Sequence, residues 1–262
     1  MLRRARFSTP AVARFLRESQ RRANEQRAAR PQTARRMRAW IAVGAAGWAA
    51  LAFARREPFA RRAHAFAVWW TLTWLMLDWH IGMLESEEGL PRNLGPADAC
   101  TLVRVWLVPA AADTPQPWMC ALAFASDALD GRLARASVPT RLGRDLEGLA
   151  DAAFAVAALR GARRQGWLGR VPAGTELARI AAGIGYALLH WFGAARAPDP
   201  RVLHAARMTT PIRAGGLVAA GLGHGRLGSA LVSAGAVWSG TATAAAVLRR
   251  ACSRRARSRS CG

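Results

Sequence analysis

The sequence predicts an all-α protein, a polytopic bundle of membrane helices, and three observations carry that prediction. The apolar residues, 52% of the 262, gather in long blocks and do not recur at the spacing of amphipathic soluble helices or strands. Three of these blocks, 39–54, 63–84 and 227–248, reach or approach the roughly 20 apolar residues that a bilayer-crossing helix needs. Basic charge is concentrated at the two ends of the chain, with 12 Arg in residues 1–38 and six in 249–259. That distribution keeps both termini on the cytoplasmic side.

Residues 1–38 read as a basic cytoplasmic tail. Residues 39–90 hold two hydrophobic segments, "AWIAVGAAGWAALAFA" and "AHAFAVWWTLTWLMLDWHIGML". Residues 91–248 read as the main membrane domain, and 249–262 as a second basic tail. Within the main domain, weaker apolar blocks at 100–112, 117–129, 149–159, 176–195 and 211–222 suit shorter or polar-lined helices buried in a bundle. Both termini on one side require an even number of spans, and up to eight satisfies this. Two basic loops, 55–62 and 160–170, then fall outside. Either the first segment is an interfacial or re-entrant hairpin, or the outer loops tolerate Arg.

The net charge is +22, and all 38 basic residues are Arg. Terminal Arg clusters of this kind touch anionic membrane lipid. No nucleic-acid motif accompanies them, so nucleic acid is not an expected partner. The four Cys include no C-x-x-C pair and read as reduced core or tail residues. Asp78 and His80 read as a polar helix end, with a metal half-site as the alternative.

Chemistry concentrates in "DALDGRLARASVPTRLGRDLEGLAD", residues 127–151. Asp127 and Asp130 share one face at the end of an apolar helix, and Glu147 and Asp151 share one face at the start of the next. The link between them carries Gly, Pro and Arg and suits a polar turn, which brings four carboxylates together. Such a cluster is costly near lipid and repels itself. Divalent cations are its natural filling, and all-oxygen ligation suits Mg2+ or Mn2+ better than zinc. Gly131 leaves room for a phosphate, Ala134 keeps the same face small, Arg135 offers charge-assisted bonds to phosphate, and Gly143 opens the facing helix.

These residues closely resemble the motif of the CDP-alcohol phosphotransferase (CDP-alcohol phosphatidyltransferase) family, D-x-x-D-G-x-x-A-R followed by G-x-x-x-D-x-x-x-D. Asp127, Asp130, Gly131, Ala134, Arg135, Gly143 and Asp151 match it. Glu147 stands where the family has its third Asp. The stretch 95–111, with Thr101, Arg104 and Pro109, is similar to the family's first core helix. The stretch 203–215 is similar to the segment before its fifth, so the resemblance spans about 95–248.

The resemblance implies a six-helix membrane core, preceded here by about two further hydrophobic segments. It implies a multi-pass cell-membrane protein with its active site facing the cytoplasm, compatible with a homodimer. It also implies transfer of a substituted phosphate from a CDP-linked lipid, such as CDP-diacylglycerol, to a hydroxyl acceptor, with release of CMP in phospholipid biosynthesis. Carried over by position, Asp127, Asp130, Glu147 and Asp151 hold two divalent ions, Mg2+ or Mn2+. Asp151 also acts as general base, and Asp127, Gly131, Ala134, Arg135 and Gly143 bind the CDP moiety. Arg104, Arg201, Arg207 and Arg213 are candidates for a phosphate on the acceptor, or alternatively for anchoring at helix ends. Glu147 motivates a second reading, a non-catalytic membrane binder or scaffold that keeps the fold.

Overall fold

The computed structural model describes residues 7–86, 88–136, 140–193 and 199–260, and within these the side chains at 134, 135, 144, 145, 191–193 and 250–260 lie outside the described set. Among the described residues the regular structure is helical: α1 (Thr9–Ala29), α2 (Pro31–Phe53), α3 (Ala63–Trp79), α4 (Pro96–Ala111), α5 (Pro117–Ala136), α6 (Arg141–Arg164), α7 (Arg170–Gly193), α8 (Pro200–Gly221) and α9 (Gly225–Ser260). The chain forms two compact units, Met1–Ala110 with Ala125–Phe154, and Ala111–Phe124 with Ala155–Gly262.

In the first unit the basic N-terminal stretch is helical along most of its length, a structure that its reading as a tail did not include. Ala, Arg, Gln and Glu dominate it, and these residues lose little on entering a helix. Proline separates the two helices. It disfavours helical backbone at Arg30 and then opens α2 as its first residue, so that Arg35, Arg36 and Arg38 run straight into the apolar block.

Four tryptophans fasten α2, α3 and α4 to one another. Trp48 is 2% exposed. It stacks on Phe66 at 4.0 Å and meets Trp106 edge-on at 5.2 Å, while its Nε1 donates to Phe59 O at 3.1 Å. Trp70 donates to Ile41 O, Trp106 to Gly44 O and Trp69 to Val105 O, each at 2.8 Å. Each indole thus buries its apolar body and satisfies its one polar atom on a neighbouring backbone. Glycine is required at position 44, because the Trp70 ring occupies the place of a Cβ. The result sets α4 firmly in place.

The apolar block 63–84 does not form one helix. α3 stops at Trp79 and gives way to a 3-10 turn at Ile81–Met83. His80 Nδ1 lies 2.8 Å from Met76 O and Asp78 pairs with Arg27, so this polar pair serves a helix end.

In the second unit α9 packs along both α7 and α8. A Cβ at Gly228 would stand 2.5 Å from Gly216 O, so small residues let the α8 and α9 backbones approach closely, as membrane helices do. Asp199 caps α8. Its Oδ1 accepts from Arg201 N and its Oδ2 from Arg249 Nη2, both at 2.9 Å. The backbone bond first, and the guanidinium second, hold its carboxyl below the usual range. Among the described residues one helix, α9 over Gly225–Arg249, is long and apolar enough by itself to cross a membrane. The remaining helices are shorter or are interrupted by Arg, Asp and Glu.

Candidate functional site

The site is built on three helix segments of the first unit. α4 is apolar except along one face, where Asp98, Thr101 and Arg104 recur at i, i+3 and i+6. α5 carries Asp127 and Asp130 in its C-terminal half and continues to Ala136, so these acids do not stand at the helix end that their spacing suggested. α6 carries Glu147 and Asp151 in its first three turns. Thr140 caps α6: its Oγ1 accepts from Gly143 N at 2.9 Å, the bond that an N-cap threonine makes to the third helical residue.

Arg104 lies at the centre, its side chain 2% exposed. Its Nη2 donates to Asp130 Oδ2 at 3.0 Å, and the same oxygen accepts from Thr101 Oγ1 at 2.6 Å. Arg104 Nε lies 2.8 Å from Asp151 Oδ1 and Nη1 lies 3.4 Å from Asp127 Oδ1. Neither of these nitrogens has an aligned hydrogen-bond acceptor. Asp127 and Asp151 are therefore drawn to the guanidinium by charge, whereas Asp130 is bonded to it directionally. Glu147 is half-buried and sits within the electrostatic reach of Asp130, Arg104 and Asp127. The helical spacing of the acids thus does bring them together, around a cation contributed by α4.

Asp98 is a further buried acid beside this group. Its Oδ2 accepts from Gly95 N at 2.7 Å. A Cβ on Gly143 would lie 2.8 Å from Asp98 Oδ1 and 2.9 Å from Thr140 Oγ1. The space that Gly143 leaves on α6 is thus bordered by an acid and a hydroxyl. The sequence reading passed over Asp98, although its spacing from Thr101 and Arg104 marks a continuous polar face on an apolar helix.

Gly131 follows Asp130 on α5. Ala134 and Arg135 lie on the same helix, but their side chains fall outside the described residues. The four arginines considered for an acceptor phosphate have different surroundings. Arg104 belongs to the acid group just described. Arg201 and Arg207 are exposed on α8. Arg213 is in the second unit, where its Nη1 donates to Glu176 Oε1 at 2.7 Å and its Nη2 to Thr210 Oγ1 at 3.0 Å. Arg179 completes that second cluster with paired bonds of 2.9 and 2.8 Å to Glu176. Glu176 and Arg179 were not singled out from the sequence, although i, i+3 spacing of opposite charges inside an apolar block is a visible signal.

Whether the acid group suits a divalent cation depends on its donors. Among the described residues no three or more Asp, Glu, His or Cys side chains stand close enough together to hold an ion, because the carboxylates gather around Arg104. The donors are nevertheless all carboxylate oxygens, from two helices, arranged around one centre of positive charge. Hard divalent cations such as Mg2+ and Mn2+ take such ligands. The donor set fits.

Comparison with known proteins bears on the same stretch of chain. Residues 96–245 match the model of a protein family described as CDP-alcohol phosphatidyltransferase. No curated protein and no solved structure matches the chain.

Proposed function

The chain belongs to the CDP-alcohol phosphatidyltransferase family, membrane-embedded and generally metal-dependent transferases that move a phosphatidyl group from a CDP-alcohol to an acceptor, and we propose that it acts on a CDP-linked lipid such as CDP-diacylglycerol and releases CMP. The observation that carries this reading is the convergence of Asp127, Asp130 and Asp151 on one buried cationic centre, with Glu147 in electrostatic reach.

In this reading the acceptor hydroxyl oxygen attacks the phosphorus of the phosphatidyl group, and the bond from that phosphorus to the CMP oxygen breaks. Asp151, the most exposed of the three carboxylates that surround Arg104, takes the hydroxyl proton as general base. Asp127, Asp130, Glu147 and Asp151 hold two divalent ions, Mg2+ or Mn2+. Bound there, the ions supply neutralisation of the diphosphate and polarisation of the attacked phosphorus. Asp127, Gly131, Ala134, Arg135 and Gly143 receive the CDP moiety. The protein is multi-pass with its site on the cytoplasmic side, and its terminal arginines lie against anionic lipid.

Purified full-length protein, supplied with labelled CDP-diacylglycerol, Mg2+ or Mn2+ and a panel of hydroxyl acceptors, tests the reading. Metal-dependent CMP release with one acceptor supports it. Absence of release with every acceptor favours the scaffold reading, which draws on Glu147 and on the seat that Arg104 takes among the acids.

A further inference from the structure

The acid group contains a cation supplied by the chain itself, and its bonding is asymmetric. On one side, Arg104 Nη2 makes an aligned bond of 3.0 Å to Asp130 Oδ2, an oxygen that also accepts from Thr101 Oγ1 at 2.6 Å, and a longer bond of 3.4 Å to Thr101 Oγ1. On the other side, Nε and Nη1 approach Asp151 and Asp127 without aligned bonds. A guanidinium seated as a structural partner often grips its carboxylate through two parallel bonds, as Arg179 does with Glu176. Arg104 does this with none of its three acids. Asp130 is 5% exposed and Arg104 almost wholly buried, whereas the side chains of Asp127 and Asp151 retain 28% and 46% exposure. The firmly bonded oxygen, Asp130 Oδ2, is thus committed to Arg104 and Thr101, whereas the loosely held acids are the more exposed ones.

We infer that Arg104 is the resident counter-cation of the acid group: it stays bonded to Asp130 while yielding Asp127 and Asp151 to an incoming divalent ion. The inference rests on the proposed function only for the identity of that ion. Two consequences follow from elementary electrostatics. Without metal, Arg104 screens the carboxylates from one another, so the two helices stay together. With metal, the same charge repels the ion at short range, so Arg104 holds metal affinity below what the four acids alone would give. Arg104 is in this sense a positioning residue that trades metal affinity for stability in the metal-free state.

The test uses the full chain in detergent and compares wild type with Arg104→Gln and Arg104→Lys. It reads Mn2+ binding from the free-ion paramagnetic resonance signal, and thermal unfolding with and without Mn2+. The inference expects Arg104→Gln to bind Mn2+ roughly tenfold tighter or more. It expects the metal-free protein to melt several degrees lower, with most of that loss recovered in saturating Mn2+. Arg104→Lys, which keeps the charge, should bind Mn2+ within about threefold of wild type. Unchanged or weaker Mn2+ binding in a folded Arg104→Gln variant overturns the inference and leaves the functional reading standing. If the Gln variant cannot be recovered folded with or without Mn2+, the Lys variant decides: tenfold weaker binding there assigns Arg104 a shape-specific structural role and overturns the inference. No Mn2+ binding by any of the three forms overturns the inference and the functional reading together.

Discussion

Two buried charged clusters among the described residues are opposites, and the contrast is informative. In the first unit three carboxylates surround one buried guanidinium, with a fourth acid in reach. In the second unit two guanidiniums hold one buried carboxylate, Glu176, whose side chain is 5% exposed. The Glu176 cluster is closed: Arg179 grips it through a paired fork, and Arg213 adds a third bond at 2.7 Å. The acid group is open: only one of Arg104's carboxylate contacts is an aligned bond. A buried charge cluster whose hydrogen bonds are satisfied rigidifies the fold. One assembled by charge and left short of directional bonds, with anionic excess, has capacity for something else. The second unit's cluster is accordingly read as a lock, and the first unit's as a site.

The largest effect is expected from breaking the acid group. Asp127→Asn and Asp130→Asn should each lower turnover by at least about 100-fold, as loss of a group aimed at transition-state charge does. Measured CMP release, normalised to correctly inserted protein, checks this. Near-normal turnover in either variant, or full activity in excess chelator, would show that the cluster is not catalytic.

Glu147 sharpens the comparison within the open site. If it is a working ligand, its charge is what counts, because ionised oxygens supply affinity for hard cations. Glu147→Gln should then lose on the order of 10- to 100-fold in rate. Glu147→Asp should keep substantial activity and change the preference between Mg2+ and Mn2+, since Mg2+ tolerates less displacement of its ligands. Activity that arises only in the Asp variant would instead favour the scaffold reading.

Glu176→Gln is the matching experiment on the closed cluster, with a smaller effect on chemistry. It leaves Arg179 and Arg213 facing each other without a neutralising charge. Removing one partner of a buried ion group costs about 3–5 kcal/mol, which for a chain of this size lowers the melting temperature by on the order of 10 °C. Turnover per folded molecule at saturating substrate should fall far less than in Asp130→Asn. A fall as deep as in Asp130→Asn, without a loss of stability, would mean that the second cluster is itself catalytic.

The helical architecture and the acids were legible in the sequence for a local reason. Residues three and four apart share a helix face wherever the helix lies, so Asp127 with Asp130, and Glu147 with Asp151, are paired by spacing alone. The all-α class and the family resemblance followed from the same local information, whereas the link after Asp130, expected as a turn, is helical as far as Ala136. Helix boundaries were less legible. The apolar block 63–84 gave no sign that the chain would stop being α-helical at Trp79, and Ala- and Arg-rich residues 9–29 passed for a tail because charge masked their helix propensity.

What only the tertiary structure decided is which distant residues face the acids. Arg104 lies 23 positions before Asp127 in the chain, and nothing in its own helix announces three carboxylates as its neighbours. That meeting depends on α4 being seated by Trp48, Trp69, Trp70 and Trp106, whose hydrogen bonds run to backbone outside their own helices. The same packing brings Asp98 against Gly143, a position whose lack of a side chain is otherwise easily assigned to a ligand. The sequence by itself determined which charges the site contains, because helical spacing is a property of consecutive residues. Tertiary packing decided how those charges are balanced, because short-range electrostatics depends on distances that only the meeting of separate helices creates.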